Sequence, residues 1–118
     1  MGGEGEAVAA RHLLSRGYTI LERNFRIRQG EVDIIALDPT GTVVFVEVKS
    51  RASLRFGPPE EAVDRRKQGR ICRAALAFLQ RRGWLERPAR LDVISVSWQN
   101  GGRIQVRHIE DAFPFQGW

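Results

Sequence analysis

The chain has 118 residues, 42% hydrophobic and 28% charged, an ordinary balance for a globular protein and enough for one domain, 1–118, to bury its own core. No apolar run approaches the roughly 18 residues of a membrane span, and a single cysteine, Cys72, excludes an internal disulfide framework. Nineteen basic residues stand against 14 acidic ones, a net charge of +5 that points to an anionic partner, and with no spanning run a membrane is not expected. All but two of the basic residues, Lys49 and Lys67, are arginine, whose planar and permanently charged fork suits phosphate. Genome base composition or a hot habitat enriches arginine too, so its number alone decides little. Residues 1–6 lack the basic-then-apolar pattern of a secretion signal, and the expected compartment is the cytoplasm.

In chain order, Ala7, Ala10, Leu13 and Leu14 form a helical stripe over Gly5 to Arg16, with Gly17 placed to end it. Tyr18 to Arg26 reads as a strand. Gly30 to Leu37 and Thr42 to Lys49 read as two more strands, joined by Asp38-Pro39-Thr40-Gly41. Proline there suits the second position of a type I turn, and glycine the left-handed position that closes a short hairpin. A loop over Ser53 to Pro59, containing Gly57-Pro58-Pro59, leads to a second helix. Asp64 is its N-cap, Ile71, Ala74, Ala75, Phe78 and Leu79 its apolar face, and Gly83 its stop after about Arg82. Leu91 to Trp98 and Arg103 to Ile109 alternate as strands around Gln99-Asn100-Gly101-Gly102, and Glu110 to Trp118 makes a short turn and tail. The order α, β, β, β, α, β, β predicts an α/β fold. Three strands form a meander, the second helix crosses back in the right-handed sense, and the mixed sheet is flanked by helices.

The hairpin raises the first chemical question. A turn centred on Thr40 sets Asp33 opposite Glu47 and Glu31 opposite Lys49, with all four side chains on one sheet face. The Cβ atoms of Asp33 and Glu47 then lie about 5 Å apart, and like charges so placed repel. Lys49 supplies one positive charge but is equally placed to pair with Glu31, whereas a divalent cation shared by both carboxylates relieves the repulsion more fully. A turn centred half a residue away would instead send one acid to the opposite face as a solvated group. Alternation places Val44, Val46 and Val48 on one face of the third strand and Val43, Phe45, Glu47 and Lys49 on the other. Both faces are mostly apolar, so Glu47 and Lys49 end a buried surface, where charges must be paired or metal-bound.

The second helix raises another. Arg65, Arg66 and Lys67 fill its first turn, where the helix dipole disfavours cations. A bound anion would relieve them, and with Arg70 and Arg73 they offer a face to a phosphate backbone. A solvated surface balanced by Glu60, Glu61 and Asp64 accounts for the same residues equally well. His12 and His108 stand singly, without metal-ligand spacing, and read as structural; Cys72 reads as packing.

Taken together, Gly2-x-x-Gly5-Glu6, Asn24-Phe25-Arg26, Gly30-Glu31-Val32-Asp33-Ile34-Ile35, Val46-Glu47-Val48-Lys49-Ser50-Arg51, Gly57-x-Pro59-x-Glu61-Ala62-Val63, Lys67 and Leu91-Asp92-Val93 resemble the YraN family of bacterial predicted nucleases. The match covers nearly the whole chain, and Asp64 stands where the family pattern has threonine. The resemblance implies a restriction-endonuclease-like fold, similar to that of Holliday junction resolvases, and a metal-dependent endonuclease using Mg2+ or Mn2+. It implies Asp33 and Glu47 as metal ligands, the Val48 carbonyl as a third, Glu6 on the first helix as a candidate ligand, and Lys49 beside the attacking water. A first-turn acid favoured by the helix dipole explains Glu6 as well.

The expected reaction is hydrolysis of a phosphodiester, with DNA, including branched or processed forms, as the nucleic acid. Arg51, Arg65, Arg66, Lys67 and Arg70 would bind flanking phosphates. Two other readings use the same fold. One is a module that grips nucleic acid without cutting it, against which the intact Asp33, Glu47 and Lys49 speak. The other is an accessory subunit active only in a complex, with Trp98 and Trp118 either touching the partner or packing. Nucleases that cut both strands are often dimers, so a homodimer stays open, though no residue demands one.

Overall fold

A computed structural model describes residues 2–51 and 63–115. The expected loop from Ser53 to Pro59, together with Glu60, Glu61 and Trp118, lies outside the described residues. The elements are α1 (Gly2–Ser15), β1 (Thr19–Ile27), β2 (Gly30–Leu37), β3 (Val43–Arg51), α2 (Arg65–Arg82), β4 (Ala89–Trp98), a 3-10 turn (Asn100–Gly102) and β5 (Ile104–Ile109). They follow the predicted order, with ends shifted by a few residues.

The five strands form one sheet in the order β1-β2-β3-β4-β5. Only β3 and β4 run parallel, as the crossover through α2 requires; the other neighbours are antiparallel. The β2–β3 turn forms as its residues dictate. Gly41 takes the left-handed φ of 93°, and the Asp38 carboxylate accepts from the Thr40 and Thr42 amides at 2.9 Å. Its register pairs Leu37 with Val43, Ala36 with Val44, Ile35 with Phe45 and Ile34 with Val46, as a turn centred on Thr40 demands.

Alternation along β3 divides the core. Val43 and Phe45 pack under α2 with Ile71, Cys72, Ala74, Ala75, Phe78 and Leu79, and Val44 and Val46 pack under α1 with Ala9, Ala10 and Leu13. Asp64 caps α2 by accepting from the Lys67 amide at 2.8 Å, as its N-cap position predicts, and Gly83 closes the helix. The segment after β5 is better anchored than a simple tail: Phe113 is buried in the α2 layer, and the Ala112 amide donates to the Leu91 carbonyl at 2.7 Å. No helix among the described residues is long and apolar enough to cross a membrane.

Two glycines set how closely the helices approach. A Cβ on Gly30 would collide with the backbone carbonyl of Arg70, so α2 rests directly on the start of β2; a Cβ on Gly5 would meet the Ser50 side chain. A hydroxymethyl group turns aside more readily than a helix carbonyl. Gly30→Ala is therefore expected to cost about 2 kcal/mol or more of folding stability, and Gly5→Ala clearly less. Urea denaturation of the two variants beside the parent tests the ranking, which equal losses would contradict.

Candidate functional site

Glu47 lies at the end of the apolar part of β3, on the α2 face, and is 3% exposed. Its Oε2 receives two ammonium groups, Lys67 Nζ at 2.9 Å and Lys49 Nζ at 3.6 Å. Lys49 thus turns to Glu47 rather than to Glu31, which instead meets Arg26 at 3.9 Å and Arg70 at 3.8 Å. The Lys67 side chain is 44% exposed, so its stem comes in from solvent to reach a buried acid. The hydrogen bond to Glu47 is the main cause that raises the Lys67 pKa.

Asp33 reaches the same place through a break in the sheet. The bond from the Asp38 amide to the Thr42 carbonyl fixes which pairs exchange hydrogen bonds, and in a continuous ladder the Val48 amide would donate to the Val32 carbonyl. It donates instead to Asp33 Oδ2 at 2.8 Å, and the β2–β3 ladder stops at Ile34–Val46. The alternation breaks at the same point, because Ile34 and Ala36 face α1 while Val32 joins the α2 layer. On the other side, Asn24 lies between the partners of Ile34 and Val32 and has a left-handed φ of 55°. Asparagine tolerates that conformation better than most residues. The expected opposition of Glu31 and Lys49 is not formed, because the ladder ends before it.

Burial first, and then the Glu47 charge, push the Asp33 carboxyl up to about 7, with Glu6 and a hydrogen bond shared with Glu47 adding to the rise and the Val48 amide opposing it. Glu6 on α1 is thus close enough to act on Asp33, yet its carboxylate turns toward Arg23 at 3.9 Å. Among the described residues no three His, Cys, Asp or Glu side chains form a ready-made metal cage. Val48 contributes its amide, which holds Asp33 in place. Arg65 and Arg66 are exposed on the first turn of α2, and Arg51 ends β3. The crowding of cations in that turn has an internal answer: the anion that meets Lys67 is Glu47 of the protein itself.

A second charge cluster carried little sequence signal. Arg90 bonds Asp92 at 3.0 Å, Asp38 at 2.8 Å and the Tyr18 hydroxyl at 2.7 Å, and His108 meets Asp92 at 2.8 Å. The Asp111 amide also donates to Asp92, whose side chain is fully enclosed. The hint was a charged residue inside the apolar run Leu91-Asp92-Val93-Ile94. His12 stacks edge-on against His108 at 5.4 Å, and burial, with help from His108 and Arg16, lowers its pKa. Both histidines and Cys72 are packed into the structure, and Trp98 packs on the α1 face.

Residues 5–96 match the family described as uncharacterised protein family UPF0102. The chain belongs to that family. A UPF0102 protein of Trichlorobacter lovleyi is 50% identical over 113 residues, covering 96% of this chain and 89% of the relative. UPF0102 protein STH1475 of Symbiobacterium thermophilum is 46% identical, with 96% and 95% covered. Among solved structures, a repair endonuclease from Pyrococcus abyssi is similar with a TM-score of 0.49 at 19% identity, and SfsA of Pyrococcus furiosus in complex with Ca2+ with 0.45 at 21%. The matches cover 84% and 92% of this chain but 39% and 62% of those proteins. The resemblance to YraN read from the motifs is thus UPF0102 membership, and the matched UPF0102 span contains Glu6, Asp33, Glu47, Lys49 and Lys67.

Two outcomes follow from the charges. A carboxyl whose pKa is higher folded than unfolded costs nothing at a pH below its unfolded value and destabilises increasingly as pH rises through its folded value, here about 7. In metal-free protein, Asp33→Asn keeps an acceptor for Val48 and is expected to be more stable than the parent by about 1–2 kcal/mol at pH 8, but not at pH 4. Denaturation in chelator at both values measures it, and a variant no more stable at pH 8 contradicts the coupling. Asp92→Asn, which removes the enclosed anion from the half-buried Arg90, is expected to lose about 3 kcal/mol at neutral pH in the same assay.

Proposed function

We propose that the chain is a metal-dependent nuclease of the restriction-endonuclease-like kind that hydrolyses phosphodiester bonds. One observation carries the reading: two carboxylates from adjacent strands, Asp33 and the buried Glu47, are held together against their repulsion beside two lysines. A protein that needed only a stable core would gain by replacing such a group with an apolar one. The resemblance to the YraN family of predicted nucleases supports the same reading, and the preference for DNA, including branched or processed forms, follows from that resemblance.

The donor set is all oxygen, which suits Mg2+ or Mn2+ rather than metals that favour sulfur or nitrogen. Asp33 and Glu47 would hold the ion, with the Val48 carbonyl and Glu6 as the further donors. When bound, it would polarise the scissile phosphate and lower the pKa of a water. Lys49, on the same face of β3 as Glu47, positions the attacking water or stabilises charge building on phosphorus. Arg51, Arg65, Arg66 and Arg70 hold the flanking phosphates, to which a guanidinium fork bonds in pairs.

The test incubates purified protein with linear, flapped and four-way-branched DNA, and with RNA, in magnesium, manganese or chelator. Cutting is expected only with metal, and Glu47→Gln is expected to lower its rate at least about 100-fold while the variant stays folded by circular dichroism. Binding without cutting, indifferent to metal and to Glu47→Gln, would replace the nuclease with a nucleic-acid-binding module.

A further inference from the structure

We propose, building on the metal-dependent reading above, that Lys67 is a built-in competitor of the metal: its ammonium occupies the Glu47 carboxylate in the metal-free protein and moves to the substrate phosphate when the ion binds.

Three observations converge on this residue. Lys67 Nζ lies 2.9 Å from Glu47 Oε2, closer than Lys49 at 3.6 Å to the same oxygen. An ammonium this close takes up a lone pair of an oxygen that a cation would share, and adds a like charge beside it. The Lys67 side chain is 44% exposed against 22% for Lys49, so Lys67 is the lysine with a route out. Charge balance supplies the reason to leave. Ionised Asp33 and Glu47 are matched by the two lysines, and a divalent cation added to that set leaves an excess of two positive charges in a mostly buried place. One lysine turning outward halves the excess, and a phosphodiester, with its single negative charge, removes the rest.

The departing ammonium has a destination. Lys67 sits on the first turn of α2 beside the exposed Arg65 and Arg66, where the amide ends of the helix and its dipole favour a phosphate oxygen. The close approach of α2 to Gly30, at the Arg70 carbonyl one turn further on, holds this end of the helix against the sheet while the Lys67 side chain stays partly exposed. Lys67 is in this sense a positioning residue for the ion and a contact for the substrate, whereas Lys49 keeps its place beside the reacting phosphate.

The experiment titrates Mn2+ into the parent, Lys67→Met and Lys67→Gln by isothermal calorimetry, and measures cleavage of a DNA duplex at saturating Mn2+. Both variants are expected to bind Mn2+ about tenfold more tightly than the parent, the loss of one charged hydrogen bond from the competing side. Cleavage by both is expected to show a raised KM. Thermal melts without metal confirm that each variant is folded, and two substitutions guard against one that is not. Parent protein that binds Mn2+ while both variants bind it equally or more weakly overturns the competition, and leaves the nuclease reading intact. If neither parent nor variants bind Mn2+ and none cuts, the nuclease reading fails and the inference with it.

Discussion

A carboxylate with 3% of its surface exposed, where the apolar half of β3 gives way to Lys49, Ser50 and Arg51, imposes the main constraint on this molecule. An uncompensated charge there would cost several kcal/mol. Compensation has to come from outside the strand, because the next residue on the same face, Lys49, only reaches 3.6 Å. The placement of α2 follows from that need. Its N-terminal turn lies over the end of β3, Asp64 secures the turn, and Gly30 lets the helix sit low enough for Lys67 to close on the acid.

The sheet yields at Asp33 for a related reason. Two carboxylates opposed in a regular ladder would repel with nothing to hold them. By leaving the ladder, Asp33 gains the Val48 amide as a donor and keeps its place beside Glu47. The cost of the irregularity is spread over an asparagine suited to a left-handed φ and over hydrogen bonds that end at Ile34–Val46. At the hairpin end, Arg90 is the counterpart of the two lysines: it gathers Asp38, Asp92 and Tyr18, tying the β2–β3 turn to β4. One end of the sheet is thus held by the Arg90 charge network, while at the other the buried Glu47 meets two partly exposed lysines.

Much of this was legible in the residues. Apolar spacing located both helices, turn residues located the hairpins, and the turn at Thr40 set the register that brings Asp33 to Glu47. Periodicity failed where the backbone itself departs from it. Regular alternation predicts Glu31 opposite Lys49, and only the break at Asp33 removes that pair. The contact of Lys67 with Glu47 was illegible for another reason: twenty residues separate them, and the meeting depends on how closely a helix rests on a glycine, which no pattern of hydrophobicity encodes. Asp92 was visible as a motif residue and a charge in an apolar run, but its pairing with Arg90 was not, because their other partners come from Tyr18, the hairpin turn and β5.

The left-handed Asn24 has a consequence at the rim of the sheet. β1 is an edge strand of nine residues, and a flat edge of that length is a template onto which a second chain adds by backbone hydrogen bonds. Asn24 turns the backbone in the middle of that edge, and the exposed charges of Glu22 and Arg23 stand beside it. The irregularity that accompanies Asp33's departure from the ladder therefore also denies foreign strands a continuous row of donors and acceptors, so the geometry of the acid pair and protection against edge-to-edge aggregation are carried by the same bend.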